Sequence, residues 1–175
     1  MKATFTLTNA VPQFETLNSG SWKNYENRVR DYAKCPCGSS DRGGTLYLLT
    51  GISDHGLKVD SNGRPIRDDS VWLGFKTNLG QGRVKVGIPR ALWTAGCCVW
   101  KEPGSAFGSA SQSEKAESFA VMTNNRDNQA LLHQTEMSVA KLEELLTTSP
   151  SSRVNLFPAK PKCRNPDNPD FKIPV

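Results

Sequence analysis

Two hydrophobic periods alternate along the chain. Phe5 and Leu7 alternate with Thr4, Thr6 and Thr8, the period of two that predicts a strand. After a loop carrying Pro12 the period lengthens. Trp22, Tyr25, Val29 and Ala33 mark the apolar side of a predicted helix, which Asn18 or Ser19 caps and which ends near Lys34, before a Cys-Pro-Cys-Gly turn. The apolar run T-L-Y-L-L-T-G, residues 45–51, predicts a central strand. Residues 53–83 are rich in Gly, Asp and Asn around a short apolar island, Val71-Trp72-Leu73, and read as a surface insertion with room for a hairpin. Val84 to Ile88 alternates as a strand until Pro89 stops it. Residues 92–100 read as a buried strand, 101–118 as a mobile loop, 118–122 as a strand and 124–128 as a polar turn. Ser138 caps a second helix with Val139, Leu142, Leu145 and Leu146 on its apolar stripe. Val154 to Phe157 predicts a last short strand. The pattern as a whole predicts an α+β domain over residues 1–157, with a largely antiparallel sheet, and an extended, proline-rich basic tail over 158–175.

Composition narrows this picture. The 175 residues suffice for one domain with a real core, and 37% are hydrophobic. No run of about 18 apolar residues is present, so a membrane-spanning helix is not expected. The opening M-K-A-T-F-T-L-T-N lacks the apolar region of a signal peptide. Either the protein is intracellular or the chain is a piece of a longer one, and a start directly on a strand favours the second. The net charge of +5 suits a polyanionic partner, although a solvated surface with a few extra lysines explains it at least as well. Five cysteines leave at least one free or paired outside the chain. Cys35-Pro36-Cys37 and Cys97-Cys98 lack zinc-ligand spacing, so disulfides are the better expectation, with Cys163 joined to Cys97 or to Cys98.

Chemistry concentrates at the first helix. Asn18, Trp22, Glu26 and Arg30 lie four residues apart. At about 100° per residue, Asn18 and Glu26 each fall roughly 40° from Trp22, so an amide and a carboxylate flank the apolar stripe. Groups placed there need partners, and a metal ion or an arginine would serve. The bland alternative is an amphipathic helix with an Asn cap and a Glu-Arg pair one turn apart.

The segment from Asn9 to Arg30 resembles the second half of the active-site region of the DNA/RNA non-specific endonucleases, which are nucleases of the ββα-metal type. It carries the pattern N-x-x-P-Q-x-x-x-x-N-x-G-x-W-x-x-x-E-x-x-x-R at Asn9, Pro12, Gln13, Asn18, Gly20, Trp22, Glu26 and Arg30. T-L-Y-L-L-T-G, V-G-I-P-R-A-L-W-T-A and S-V-A-K-L-E-E-L-L with L-F-P are similar to later strands and the C-terminal helix of that family. The variant T-F-T-L-T-N-A-V-P-Q with W-T-A-G-C-C is most similar to its endonuclease domain-containing 1 group.

The resemblance implies a ββα-metal fold and Mg²⁺- or Mn²⁺-dependent hydrolysis of DNA or RNA without sequence preference. Asn18 would be the single protein ligand of the metal, which keeps most of its waters. Glu26 would orient a water, Arg30 would hold phosphate or pair with Glu26, and Asn9 would orient its neighbours. The family's general base, the histidine of D-R-G-H, has no counterpart. His55 lies in a Gly-Asp loop and His133 in a polar segment, and both read as surface residues. Asp41-Arg42-Gly43-Gly44 has glycine in the histidine's place and follows Asn18, so it reads as a turn. The expectation is therefore a nuclease domain without its N-terminal part, inactive or impaired. The alternatives are a non-catalytic module that binds nucleic acid or metal, and a secreted, disulfide-stapled interaction protein on the same scaffold.

Overall fold

The computed structural model describes residues 11–70, 77–79, 84–86, 88–102, 113–126 and 135–174. Four strands form the main antiparallel sheet, in the order β1-β6-β7-β8. They are β1 (Thr45–Ser53), β6 (Ala91–Glu102), β7 (Ser113–Asn124) and β8 (Glu136–Met137). β1 pairs with β6 from Thr45–Val99 to Ser53–Ala91, and β6 pairs with β7 from Ala91–Asn124 to Glu102–Ser113. Two small hairpins sit between β1 and β6 in sequence: β2 (Gly56–Val59) with β3 (Pro65–Asp68), and β4 (Thr77–Leu79) with β5 (Val84–Val86). The fold is thus α+β with a mostly antiparallel sheet, as the sequence pattern predicts.

Strand alternation sends successive side chains to opposite faces, and β6 uses this fully. Ala91, Ala95, Cys97 and Val99 face one core, closed by α3 (Val139–Leu146) and α4 (Pro161–Arg164). Leu92 and Cys98 face a second core, closed by α2 (Lys23–Tyr32). Small residues in the middle of β6 let large ones approach. A Cβ at Gly96 would lie 2.1 Å from Cζ of Phe119. Two disulfides follow from the same alternation: Cys97 bonds Cys163 on one face, and Cys98 bonds Cys37 on the other. Cys35 is free and exposed. Cys163 thus takes one of the two partners left open by the sequence.

The C-terminal tail packs on the domain. Beyond the Cys97–Cys163 bond, Asp167 exchanges two hydrogen bonds with the backbone of Ala116 on β7. Phe171 then meets the rings of Tyr32 and Phe119, and Ile173 is buried in the α2 core. The Arg28 guanidinium fastens the end, donating to the carbonyls of Ile173 and Pro174 and pairing with Glu136 at 3.1 Å. Ser138 caps α3 as expected, accepting from the Lys141 amide at 3.2 Å.

Four expectations are corrected. β1 is an edge strand among the described residues, where an apolar run predicted a central one. Periodicity cannot separate the two, because apolar residues on both faces suit either position. Residues 113–117 belong to β7, although their polar composition reads as loop. Their charges have partners across the fold, Lys160 for Glu114 at 3.0 Å and Arg42 for Glu117 at 2.7 Å. Residues 154–157 form no strand, because side chains of α3 and of the residue that ends it capture their amides. Thr147 Oγ1 accepts from Val154, and Glu143 Oε1 accepts from Leu156 at 2.9 Å. His55 is buried, with Nε2 2.7 Å from the carbonyl oxygen of Leu145. The predicted strand at Phe5–Leu7, the island at 71–73, His133, Asn9 and residues 103–112 of the predicted loop lie outside the described residues.

Candidate active site on helix α2

The approach to α2 is held at the end of the sheet. Asn125, buried just beyond β7, accepts from the Phe14 amide at 3.1 Å and donates to the carbonyls of Pro12 (2.9 Å) and Pro89 (3.2 Å). One side-chain amide thereby pins the Pro12-Gln13-Phe14 loop to the strands below. The chain then forms α1 (Glu15–Leu17) and a wider turn over Asn18–Trp22, and kinks at Gly20, whose φ/ψ of −103°/−111° is not helical. α2 continues from Lys23 to Tyr32. Trp22, Tyr25, Val29 and Tyr32 are buried against Leu92, Cys98, Phe119 and Val121. The apolar stripe therefore ends on Tyr32, with Ala33 half-buried.

The kink changes the predicted arrangement. A constant 100° per residue does not carry across Gly20, so Asn18 belongs to the turn before α2 and not to its face. Its amide donates to the Phe14 carbonyl at 2.9 Å, and its side chain is exposed. Glu26 is exposed as well, so neither group is shielded as the helical wheel implied. Glu26 and Arg30 do come together. With Tyr25, Val29 and Ala33 they form one wall of a groove of about 400 Å³, and Leu46, Leu48, Thr50 and Thr94 form the other. Asn18 does not line this groove.

The predicted Glu26–Arg30 pair is not formed. Arg30 Nη1 donates instead to Oδ1 of Asn27 at 3.0 Å. Neither Glu26 nor the Asn18 carboxamide has a hydrogen-bonding or ionic partner among the described residues. Both are hard oxygen donors of the kind Mg²⁺ selects, so their chemistry fits such an ion. No cluster of three or more His, Cys, Asp or Glu occurs among the described residues.

Other ionisable groups near α2 serve the scaffold. Burial, with Glu136 nearby, pushes the Tyr25 phenol far above its ordinary pKa. Burial and Glu117 do the same to Tyr32, whose hydroxyl donates to Glu117 at 2.9 Å. Arg42 forms a two-pronged bond to the same carboxylate and stacks over Trp100, 4.5 Å from its ring centre. The Asp41–Gly44 segment is a turn, as its glycines implied, with Gly43 at φ +55°. A larger depression of about 710 Å³ lies beside α3, but its buried carboxylate, Glu143, is already held by Arg164 at 2.8 Å and by the Leu156 amide.

The sequence profile of the DNA/RNA non-specific endonucleases matches residues 1–160. The chain belongs to this family. The match spans every element from α1 to α3, so the non-specific endonuclease domain includes the α2 groove, both hairpins and the main sheet. A search of curated proteins finds no significant match. No helix among the described residues is long and apolar enough to cross a membrane. The two disulfides fit an oxidising compartment.

Sequence reasoning missed Asn125 and Arg28, which set the position of α2. A signal for Asn125 was present in the Asn124-Asn125 pair that ends the apolar run of β7. Asn124 makes the equivalent clamp on the backbone of Leu57, at 2.7 and 2.8 Å. Nothing local distinguishes Arg28 from the other charges of the helix.

Proposed function

We propose that this chain carries the metal-binding residues of a sequence-independent nuclease centre. Asn18 would supply a carboxamide oxygen to Mg²⁺ or Mn²⁺, and Glu26 would orient a water. Arg30 would hold a backbone phosphate, and Asn9 would orient neighbouring groups. When bound, the cation neutralises charge on the scissile phosphate and on the leaving oxygen. Contacts to the phosphate backbone suffice for cleavage without sequence preference, so no base-reading element is required.

The observation that carries this reading is that Glu26, without a hydrogen-bonding or ionic partner among the described residues, lies beside Arg30 on the wall of an open groove. No histidine lines this groove among the described residues. The imidazole of His55 is buried and engaged by the Leu145 carbonyl, away from this groove. That observation favours a second reading, in which the chain binds nucleic acid and cuts it poorly or not at all. The disulfides and the family together support a secreted protein.

A plasmid-nicking assay with Mg²⁺ or Mn²⁺, run beside a filter-binding assay, tests both readings. We expect salt-sensitive binding and very low nicking, with any cleavage lost in Asn18→Ala and Glu26→Gln. Robust cleavage that survives Asn18→Ala would overturn the assignment. Binding indifferent to salt would remove the phosphate contact.

A further inference from the structure

The C-terminal segment crosses from one face of the sheet to the other. Cys163 lies in the core closed by α3 and α4, bonded to Cys97, and Ile173 lies in the core closed by α2. Between them the chain rounds the edge of β7. Among the described residues β8 pairs only with Ala120 and Val121 of β7. Asp167 takes a place further along that edge, exchanging hydrogen bonds of 3.1 and 3.2 Å with the backbone of Ala116. The strap ends on α2. Phe171 lies 5.3 Å from Tyr32 between ring centres. Arg28 Nε donates to the Pro174 carbonyl at 3.1 Å, and Nη2 donates to the Ile173 carbonyl. The same guanidinium pairs with Glu136 of β8, and both side chains are largely buried. Residues 161–174 lie beyond the part of the chain that the family profile matches.

We propose that this strap sets the rotation of α2 about its own axis, and that Arg28 is the positioning residue through which it does so. The inference rests on the reading of Glu26 and Arg30 as site residues. α2 is regular from Lys23 to Tyr32. At about 100° per residue, Glu26 and Arg30 fall roughly 100° and 140° to one side of Tyr25, and Arg28 roughly 60° to the other. The buried stripe of Tyr25, Val29 and Tyr32 lies between them and acts as a pivot. Glu26 and Arg30 line the groove, and Arg28 does not. A turn of α2 that lifts Arg28 from the tail therefore swings Glu26 and Arg30 as well. At a helix radius of about 5 Å, a rotation of roughly 20° carries a side chain about 2 Å, enough to break a hydrogen bond to a phosphate. The kink at Gly20 interrupts the helix before α2, so no continuous helix upstream fixes this angle. A guanidinium suits the task, because one planar fork reaches two carbonyls and a carboxylate. A lysine ammonium cannot match that geometry.

Methyl NMR and filter binding on the full chain test it. Arg28→Gln removes the fork, Arg28→Lys keeps its charge, and Ile173→Ala frees the end of the tail without altering any charge. The methyl groups of Val29, Leu46 and Leu48 share the groove with the Tyr25 ring, so their shifts report the angle of α2. They should move in Arg28→Gln and in Ile173→Ala. The methyl groups of Val139 and Leu142, in the core on the other face, should keep their wild-type shifts, which marks the domain as folded. All three variants should bind nucleic acid about tenfold more weakly, the order of one charge-assisted hydrogen bond. Groove methyls that stay in place in Ile173→Ala overturn the proposal, and so do shifts that spread equally to Val139 and Leu142. Wild-type affinity in Arg28→Lys and Ile173→Ala together overturns it too, because Arg28 would then act by charge alone. A wild-type chain that binds no nucleic acid sinks the nuclease reading instead, and the methyl shifts then decide this proposal by themselves.

Discussion

Arg30 and His55 show how one side chain's surroundings fix what it can do. Arg30 is exposed and, among the described residues, donates to Asn27 alone, which leaves most of its guanidinium donors available to a phosphate. Arg30→Ala is expected to weaken nucleic-acid binding about equally for all sequences and to lower the slope of log affinity against log salt by about one unit per lost contact. Titrating binding at several salt concentrations measures this. His55 is held neutral, because burial lowers its pKa below the ordinary value of about 6.5. The unfolded chain then binds more protons than the folded one as pH falls from that value towards the depressed one. Stability is therefore fully present above about pH 6.5 and is lost as pH falls through the folded pKa. Thermal unfolding between pH 5 and 8 should show this slope, and His55→Gln, which can still donate to the Leu145 carbonyl, should flatten it.

At the scale of elements, the helix and the sheet were legible in the sequence to different degrees. The buried positions of α2 follow from the spacing of Trp22, Tyr25 and Val29, and α3 from its Ser138 cap. The kink at Gly20 was not legible, because a glycine inside a helical period is compatible with a straight helix and with a break. Asn18 lies before the kink and does not line the groove that Glu26 and Arg30 line. The clamp at Asn125 was hidden for another reason: its partners Pro12, Phe14 and Pro89 are distant in sequence. Asn125→Ala leaves an amide and two carbonyls without that partner at a buried site. A loss of about 2–3 kcal/mol in urea unfolding is expected, together with weaker nucleic-acid binding as the loop before Asn18 loosens.

At the scale of the molecule, covalent and ionic ties hold the C-terminal tail against the sheet and α2. The Cys97–Cys163 bond spans 66 residues, a separation at which chain entropy alone gives about 4 kcal/mol. The paired Cys97→Ala and Cys163→Ala variant should unfold at correspondingly lower denaturant and release the tail to limited proteolysis. Cys97 and Cys98 are neighbours in the chain, yet they bond to opposite layers, one to the tail and the other to the turn that follows α2. A slip of β6 by a single residue would present each sulfur to the wrong side of the sheet. This dipeptide thus acts as a double rivet through one plate: while both bonds stand, the central strand is locked in its frame, and a thiol reductant would free the front and back of the protein in the same event.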